Sequence, residues 1–279
     1  MMAATLYIIA TPIGNLEDIT FRAVRILGEV DLIAAEDTRH SLKLLNHFGI
    51  SKPLTSYFDH NQQLKGERIL TALRQGKSVA LISDAGTPCI SDPGYQLVRD
   101  AVAEGISVVP LPGACAAITA LSAAGLPTDT FTFAGFPPSR QGKRRTFLSG
   151  MRTLPGTLVL YEAPHRLLET LNDIRELLGE RQVIVARELT KMFEECIRGN
   201  VSEVICTVSQ TVVRGEVVLL IAPGAVAQQE IESLEHALGR LMEDGTLSIR
   251  DIAKQAAEVS GVSRSEAYSV ALRLKNIPD

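Results

Sequence analysis

Cysteine is scarce in this 279-residue sequence: Cys89, Cys115, Cys196 and Cys206 stand far apart, with no Cys-x-x-Cys pair. That spacing argues against a disulfide framework or a cysteine-based zinc site, and leaves the four as small buried apolar residues. The five histidines show neither HxxxH nor HExxH spacing, so no metal centre is expected. No apolar run approaches the ~20 residues that cross a bilayer. The start, MMAATLYIIATPIGN, carries no basic flank or small-residue cleavage site, so the expected location is the cytoplasm, away from any membrane. The phosphate-binding glycine patterns are missing too: there is no GxxxxGK[ST], and no GxGxxG follows a strand and opens a helix. A net charge of −4 argues against coating nucleic acid through a general field. One local absence cuts the other way. From Thr130 to Tyr161 there is no acidic residue, while Arg140, Lys143, Arg144, Arg145 and Arg152 all fall there.

What is present is strand–helix alternation. TLYIIAT (5–11), DLIAAED (31–37), KSVALIS (77–83) and ISVVPLP (106–112) read as buried strands, separated by stretches with apolar residues at helical spacing. A second series follows GLPTD (125–129): FTFAGF, GTLVLYEA, RQVIVARE and GEVVLLIAPG, with a helix in APHRLLETLNDIRELLG. MFEECIRGNVSEVICTVSQ reads as an antiparallel strand followed by a short helix. The expected fold class is therefore α/β: one α/β domain over 1–112, a second over 113–225, and a small helical appendage over 226–279. The appendage reads as AQQEIESLEHALGRLMEDG, SIRDIAKQAAEVSG and SRSEAYSVALRLKN, with Ser248 and Ser263 as N-caps and Gly261 in a helix-turn-helix-like turn. It serves either nucleic-acid contact or packing.

Ligands of open α/β sheets sit at the carboxyl ends of strands. Four such ends carry unusual loops: ATPIGNLEDIT (10–20), AEDTRH (35–40), SDAGTPCISDPG (83–94) and GACAAI (113–118). Together they are expected to converge on one crevice. Asp84 supplies a fixed carboxylate there, and Gly86 leaves backbone N–H groups approachable. Asp92 and Pro93 read as the N-cap and first residue of the next helix.

These loops, in this order, resemble the tetrapyrrole methylase superfamily, whose members bind S-adenosylmethionine between two α/β domains. AEDTR, SDAGTPCISDPG and YEAPHRL resemble more narrowly the branch that methylates a cytidine ribose of bacterial 16S ribosomal RNA. The resemblance implies S-adenosylmethionine as cofactor, a homodimer, and 16S rRNA, within the small ribosomal subunit, as substrate. Carried over by position, it implies cofactor contacts from Pro12, Asp84, Gly86, Thr87, Cys115, Ala116, Tyr161 and Glu162. Glu162 departs from the family's apolar residue, which leaves the adenine contact to backbone atoms or displaces it. ATPIGN also departs from the glycine-richer first turn of tetrapyrrole enzymes, which disfavours a tetrapyrrole substrate.

Methylating a 2′-hydroxyl requires positioning the acceptor oxygen and helping its proton leave. Candidates at strand ends of the second series are Glu162, His165 and Arg166, with Arg187, Glu188 and Lys191. Glu188 or Lys191 is expected nearest the acceptor, with His165 a further catalytic candidate. His165 alternatively only decorates a helix start, and Arg187 with Glu188 a structural ion pair. The acid-free segment offers Arg140, Lys143, Arg144 and Arg145 to RNA phosphates, with Phe136 or Phe147 available to a base. The alternative is a solvated loop. A small-molecule methylase and a non-catalytic RNA-binding assembly protein remain the competing functions.

Overall fold

The computed structural model describes residues 4–58, 62–210, 212–224, 234–243, 247–260 and 262–275. The first sheet is built from β1 (Thr5–Ile9), β2 (Leu32–Ala35), β3 (Leu54–Ser56), β4 (Val79–Ile82) and β5 (Ser107–Leu111), all parallel, in the order β3-β2-β4-β1-β5. Its central strands are buried on both faces, which is why they read as unbroken aliphatic runs. β3 escaped the sequence reading because it is a three-residue, half-buried edge strand. Between the strands run α1 (Phe21–Glu29), α2 (Thr38–His47), α3 (Gln62–Arg74) and α4 (Tyr95–Ala103). Thr20 caps α1 by accepting the Ala23 N–H at 3.1 Å, and Ala23, Ile26 and Leu27 turn its apolar face inward.

After α5 (Ala116–Ala123) comes a mixed sheet of β6 (Phe131–Phe133), β7 (Thr157–Glu162), β8 (Gln182–Arg187), β9 (Glu195–Asn200) and β10 (Val217–Ile221), ordered β6-β7-β10-β8-β9. Alternation along these strands divides two cores. Leu158, Leu160, Val183, Val185 and Leu219 pack on one face with α7 (Leu167–Leu178) and α8 (Val201–Ser209). Val159, Ile184, Ala186, Val218 and Leu220 pack on the other with Ala117, Ala120 and Leu121 of α5. Ile13, from the loop after β1, joins that second core, so the first loop is anchored on the second sheet. The strand preceding α8 ends in a capping box, Asn200 N–H donating to Glu203 at 2.8 Å. α6 (Gln141–Gly150) lies against α7.

Contacts divide the chain into a unit ending at Pro223 and a second from Gly224 onward. The second unit holds α9 (Leu234–Glu243), α10 (Ile249–Ser260) and α11 (Arg264–Lys275) around an alanine-rich core that includes Ala253, Ala256, Ala267 and Ala271. Ser248 and Ser263 cap α10 and α11, accepting from Asp251 and Glu266 N–H groups at 3.2 Å each. Gly261 and the start of the AQQEIESLEHALGRLMEDG segment lie outside the described residues.

Two local expectations need correction. α4 begins at Tyr95 with Gly94 as its N-cap, so Asp92 and Pro93 precede the helix and do not open it. Gly94 has φ +147°, and a Cβ there would lie 2.5 Å from Cys89 Sγ, so the tight packing of this loop selects the glycine. The cysteines are less buried than expected: Cys89, Cys115 and Cys196 are half-buried and Cys206 is exposed.

Candidate active site

The loops after β1 and β4 are joined by a two-hydrogen-bond bridge, Thr11 N–H to Gly86 O at 2.9 Å and Gly86 N–H to Thr11 O at 3.0 Å. Gly86 adopts φ +79°, the left-handed conformation this turn requires. Thr11 Oγ1 adds a bond to Ser83 O at 3.1 Å, and Thr87 Oγ1 donates to Ala114 O at 3.0 Å. The β4 loop is thereby tied to the entrance of α5. Cys89 and Ser91 in the same loop also take positive φ values of 71° and 65°. Such non-glycine conformations cost on the order of 1–3 kcal/mol each and persist only where surroundings impose them.

The bridge separates two cavities. The larger, about 290 Å³, lies between the sheets, lined by Gly86, Thr87, Cys115, Ala116 and Phe136 together with Tyr161. Asp92 and Glu216 also face it, and among the described residues no lysine, arginine or histidine lines it. Tyr161 packs edge-on to Phe133 at 4.9 Å and lies 5.4 Å from Phe136. Its hydroxyl accepts the Ala117 N–H at 3.3 Å, one of the free donors of the first turn of α5. Burial pushes the Tyr161 phenol up to about 12, so it stays neutral. The smaller cavity, about 230 Å³, lies on the other side of the bridge, where Pro12 and Asp84 line it. Asp84 Oδ1 accepts the Asp37 N–H at 3.0 Å, while its own N–H reaches Glu36 at 3.3 Å.

Lys191 Nζ bonds Glu188 Oε1 at 2.9 Å and Glu216 Oε2, on a residue that lines the larger cavity, at 3.2 Å. Burial works against the Lys191 charge, but the two carboxylates outweigh it and raise its pKa above the ordinary lysine value. The same hydrogen bond from Lys191 holds Glu188 below the usual carboxylate range. Glu188 and Thr190 have φ values of 49° and 67°, which wind the loop back on itself. The Lys191 stem crosses Gly14, where a Cβ would lie 2.4 Å from Lys191 Cγ. Gly215, at φ +84°, similarly leaves room for Glu188, whose Oε1 would lie 2.0 Å from an added Cβ.

Residues 5–205 match the family model described as Tetrapyrrole (Corrin/Porphyrin) Methylases. The chain belongs to the tetrapyrrole methylase family. Relatives within reach of close alignment include the Ribosomal RNA small subunit methyltransferase I of Pseudomonas aeruginosa, 49% identical over 98% of this chain and 98% of that one. The protein of the same name from Halalkalibacterium halodurans is 45% identical over 95% of this chain and 94% of its own. Among solved structures, the uroporphyrin-III C-methyltransferase of Thermus thermophilus complexed with S-adenosylhomocysteine matches with a TM-score of 0.54 at 18% identity. That match covers 78% of this chain and 97% of the other, and it establishes a shared tetrapyrrole methylase fold.

Within this methylase, the structure brings together Gly86, Thr87, Cys115, Ala116, Tyr161 and Glu162 around the larger cavity. It sends Pro12 and Asp84 to the smaller one, so the four strand-end loops form two chambers and not one crevice. The Glu162 side chain turns away from the cavity into the protein. It accepts from Ala163 N–H at 2.7 Å, Arg166 Nη2 at 2.5 Å and Thr170 Oγ1 at 2.6 Å. Glu162 and Arg166 thus staple the YEAPHR turn. His165 is exposed on that turn and does not line the cavity. Arg187 pairs with Glu195 at 2.6 Å, correcting the expected pairing with Glu188.

The acid-free segment is only half a phosphate surface. Arg140 and Lys143 are exposed, but Arg144 is 1% exposed and bonds Asp173 at 2.7 Å and Glu169 at 3.2 Å. Arg145 is half-buried and bonds Asp173 at 2.9 Å and Glu176 at 2.6 Å. The missing acids are supplied by α7, a helix downstream, so Arg144 and Arg145 join two helices and leave phosphate contact to the other two. Phe147 packs against the second-sheet core, and Phe136 faces the larger cavity. Two cavity carboxylates are not announced by the sequence: Glu216, and Asp92, which reads there only as a helix cap. Only the left-handed residues Cys89 and Ser91, which no propensity announces, turn the chain so that this carboxylate faces the cavity.

Proposed function

We propose that this tetrapyrrole methylase family member transfers a methyl group from S-adenosylmethionine to the ribose 2′-oxygen of a decoding-site cytidine in 16S ribosomal RNA. The observation that carries the cofactor is the lining of the larger cavity: two carboxylates, two aromatic rings and, among the described residues, no basic side chain. A nucleoside bearing a sulfonium and an ammonium suits that lining, with Asp92 and Glu216 facing positive charge and Phe136 and Tyr161 offering ring surfaces. Its volume lies near the ~300 Å³ lower end of ligand pockets, and its lining residue Glu216 accepts a hydrogen bond from Lys191. Gly86 and Thr87, with Cys115 and Ala116 at the α5 terminus, would hold the cofactor from one side. Tyr161 and the backbone of Glu162 would hold it from the other.

The RNA substrate is supported by the names of relatives that are 45–49% identical over nearly the whole chain. The exposed Arg140 and Lys143 add a place for phosphates. The cofactor, when bound, supplies an electrophilic methyl group, and the acceptor oxygen must lose its proton as the new bond forms. Lys191, held protonated between Glu188 and Glu216, cannot take that proton. It instead places a positive charge where the oxygen becomes negative, which lowers the proton affinity of the hydroxyl. Glu188, held below the usual carboxylate range, is a weak base that fixes the ammonium in place, so the hydroxyl proton passes to solvent water as the methyl is transferred. His165, on its exposed turn, is left out of this chemistry.

A homodimer working in the cytoplasm is part of the same proposal, supported by the motif resemblance; sedimentation measures the first. The deciding experiment supplies labelled S-adenosylmethionine with 30S particles, free 16S RNA or a tetrapyrrole, then maps the modified atom. Label on a cytidine 2′-oxygen is the expected result. Label only in the tetrapyrrole overturns the RNA reading, and label in none overturns the enzyme.

A further inference from the structure

The smaller cavity has polar groups that the methyl-transfer chemistry leaves unused. Ser41, on the first turns of α2, is 2% exposed, and its Oγ has no hydrogen-bond partner among the described residues. A buried hydroxyl left in that state costs roughly 1–3 kcal/mol. Asp84 gives Oδ1 to the Asp37 N–H, while Oδ2 has no partner among the described residues. The apolar part of the lining is Pro12, Leu16 and Leu44, and the exposed His40 and Lys43 stand at its edge. Neither His40 nor Lys43 has an ion-pair partner among the described residues. One short loop serves both chambers: Ile13 lines the larger cavity, Gly14 lies beneath Lys191, and Pro12 and Leu16 line the smaller.

We propose that this second chamber is a subsite for one unstacked pyrimidine nucleotide, its ring against Pro12, Leu16 and Leu44 and its phosphate on Lys43 and His40. The ring edge meets Ser41 Oγ, which can donate or accept, and Asp84 Oδ2, which accepts from a ring or exocyclic N–H. Single-stranded RNA is read in this way, by splayed bases held on apolar surface with polar atoms at the base edge. The inference rests on the RNA reading and deepens it, since a strand anchored here passes the Gly14–Lys191 crossing with a neighbouring ribose.

The test follows Leu16 and Leu44 methyl resonances of the full-length protein during titration with CMP, cytidine and inorganic phosphate. CMP is expected to shift both at millimolar concentration, cytidine more weakly and phosphate not at all. Lys43→Gln should erase the advantage of CMP over cytidine while leaving cytidine binding intact. Ser41→Ala should weaken both about fivefold or more. An RNA trinucleotide binding tighter than CMP identifies an RNA strand as the source, and the reverse order identifies a free nucleotide. Equal shifts from phosphate alone, or no shift from CMP, overturn the subsite. Methyl transfer to 30S particles by the same preparation separates that failure from a failure of the RNA reading.

Discussion

Replacing Arg144 with alanine tests whether the acid-free segment is an RNA surface or a structural joint. The guanidinium is buried and its Nε lies 2.7 Å from Asp173, whose side chain is only 4% exposed. Removing one partner of such a pair typically costs about 3–5 kcal/mol, because the other charge stays buried. Two features set the value here. The Glu169 contact adds little, since that side chain is 67% exposed and its pairing is screened. Arg145 keeps a 2.9 Å contact to Asp173, which moves the expectation to the lower end, about 3 kcal/mol. Urea unfolding monitored by circular dichroism measures this directly, with the slope unchanged and the midpoint lowered. A second variant, Arg144→Met with Asp173→Leu, replaces the pair by apolar side chains and should recover most of the loss. RNA affinity of the folded Arg144→Ala protein should stay within about twofold. The paired variant Arg140→Gln, Lys143→Gln should do the opposite: unfolding unchanged, RNA affinity lower, and a salt dependence shallower by roughly 1–2 units of slope. A loss below about 1 kcal/mol for Arg144→Ala, accompanied by weakened RNA binding, would refute the structural role.

Lys191→Ala should lower kcat about 10²-fold, the scale of losing one charge-stabilising donor, with cofactor affinity held within twofold by calorimetry; near-normal turnover removes Lys191 from the chemistry. Asp92→Asn should weaken cofactor binding about tenfold, a loss of about 1.4 kcal/mol, whereas Asp84→Asn should leave it within twofold. The reverse order would show that the cofactor occupies the other chamber. Tyr161 predicts an alkaline effect: its folded value of about 12 lies above the ordinary 10.0, so its contribution is complete below pH 10 and is lost as pH rises toward 12. Two units correspond to about 3 kcal/mol at most, and Tyr161→Phe should remove that slice of the pH dependence of urea midpoints.

The fold was legible wherever burial writes a period. Central parallel strands and the α7 stripe Leu167, Leu171, Ile174 and Leu178 announce themselves, while β3 is too short and too near an edge to do so. The site was legible as a set of loops but not as a geometry. Nothing in SDAGTPCISDPG says that a hydrogen-bonded bridge from Gly86 to Thr11 will place Asp84 on one side and Thr87 on the other. The charge excess of 130–161 misled for a related reason. Its counterions lie on α7, 25 to 31 residues downstream, and only the packing of two helices brings them together. Glu162 was no easier: it ends β7, and only the turn that follows brings Arg166 and Thr170 onto its carboxylate.

The crossing of Lys191 over Gly14 also constrains how this site can change by mutation. A Cβ at position 14 would lie 2.4 Å from Lys191 Cγ and 2.9 Å from Thr190 Oγ1, so alanine there displaces the lysine stem and presses on the Thr190 hydroxyl. Shortening Lys191 vacates most of that space, so a substitution at 14 costs less afterwards than it does alone. The two positions should therefore be strongly non-additive. A lineage that keeps the lysine is confined to glycine at 14, while one that has lost it meets only the Thr190 hydroxyl there.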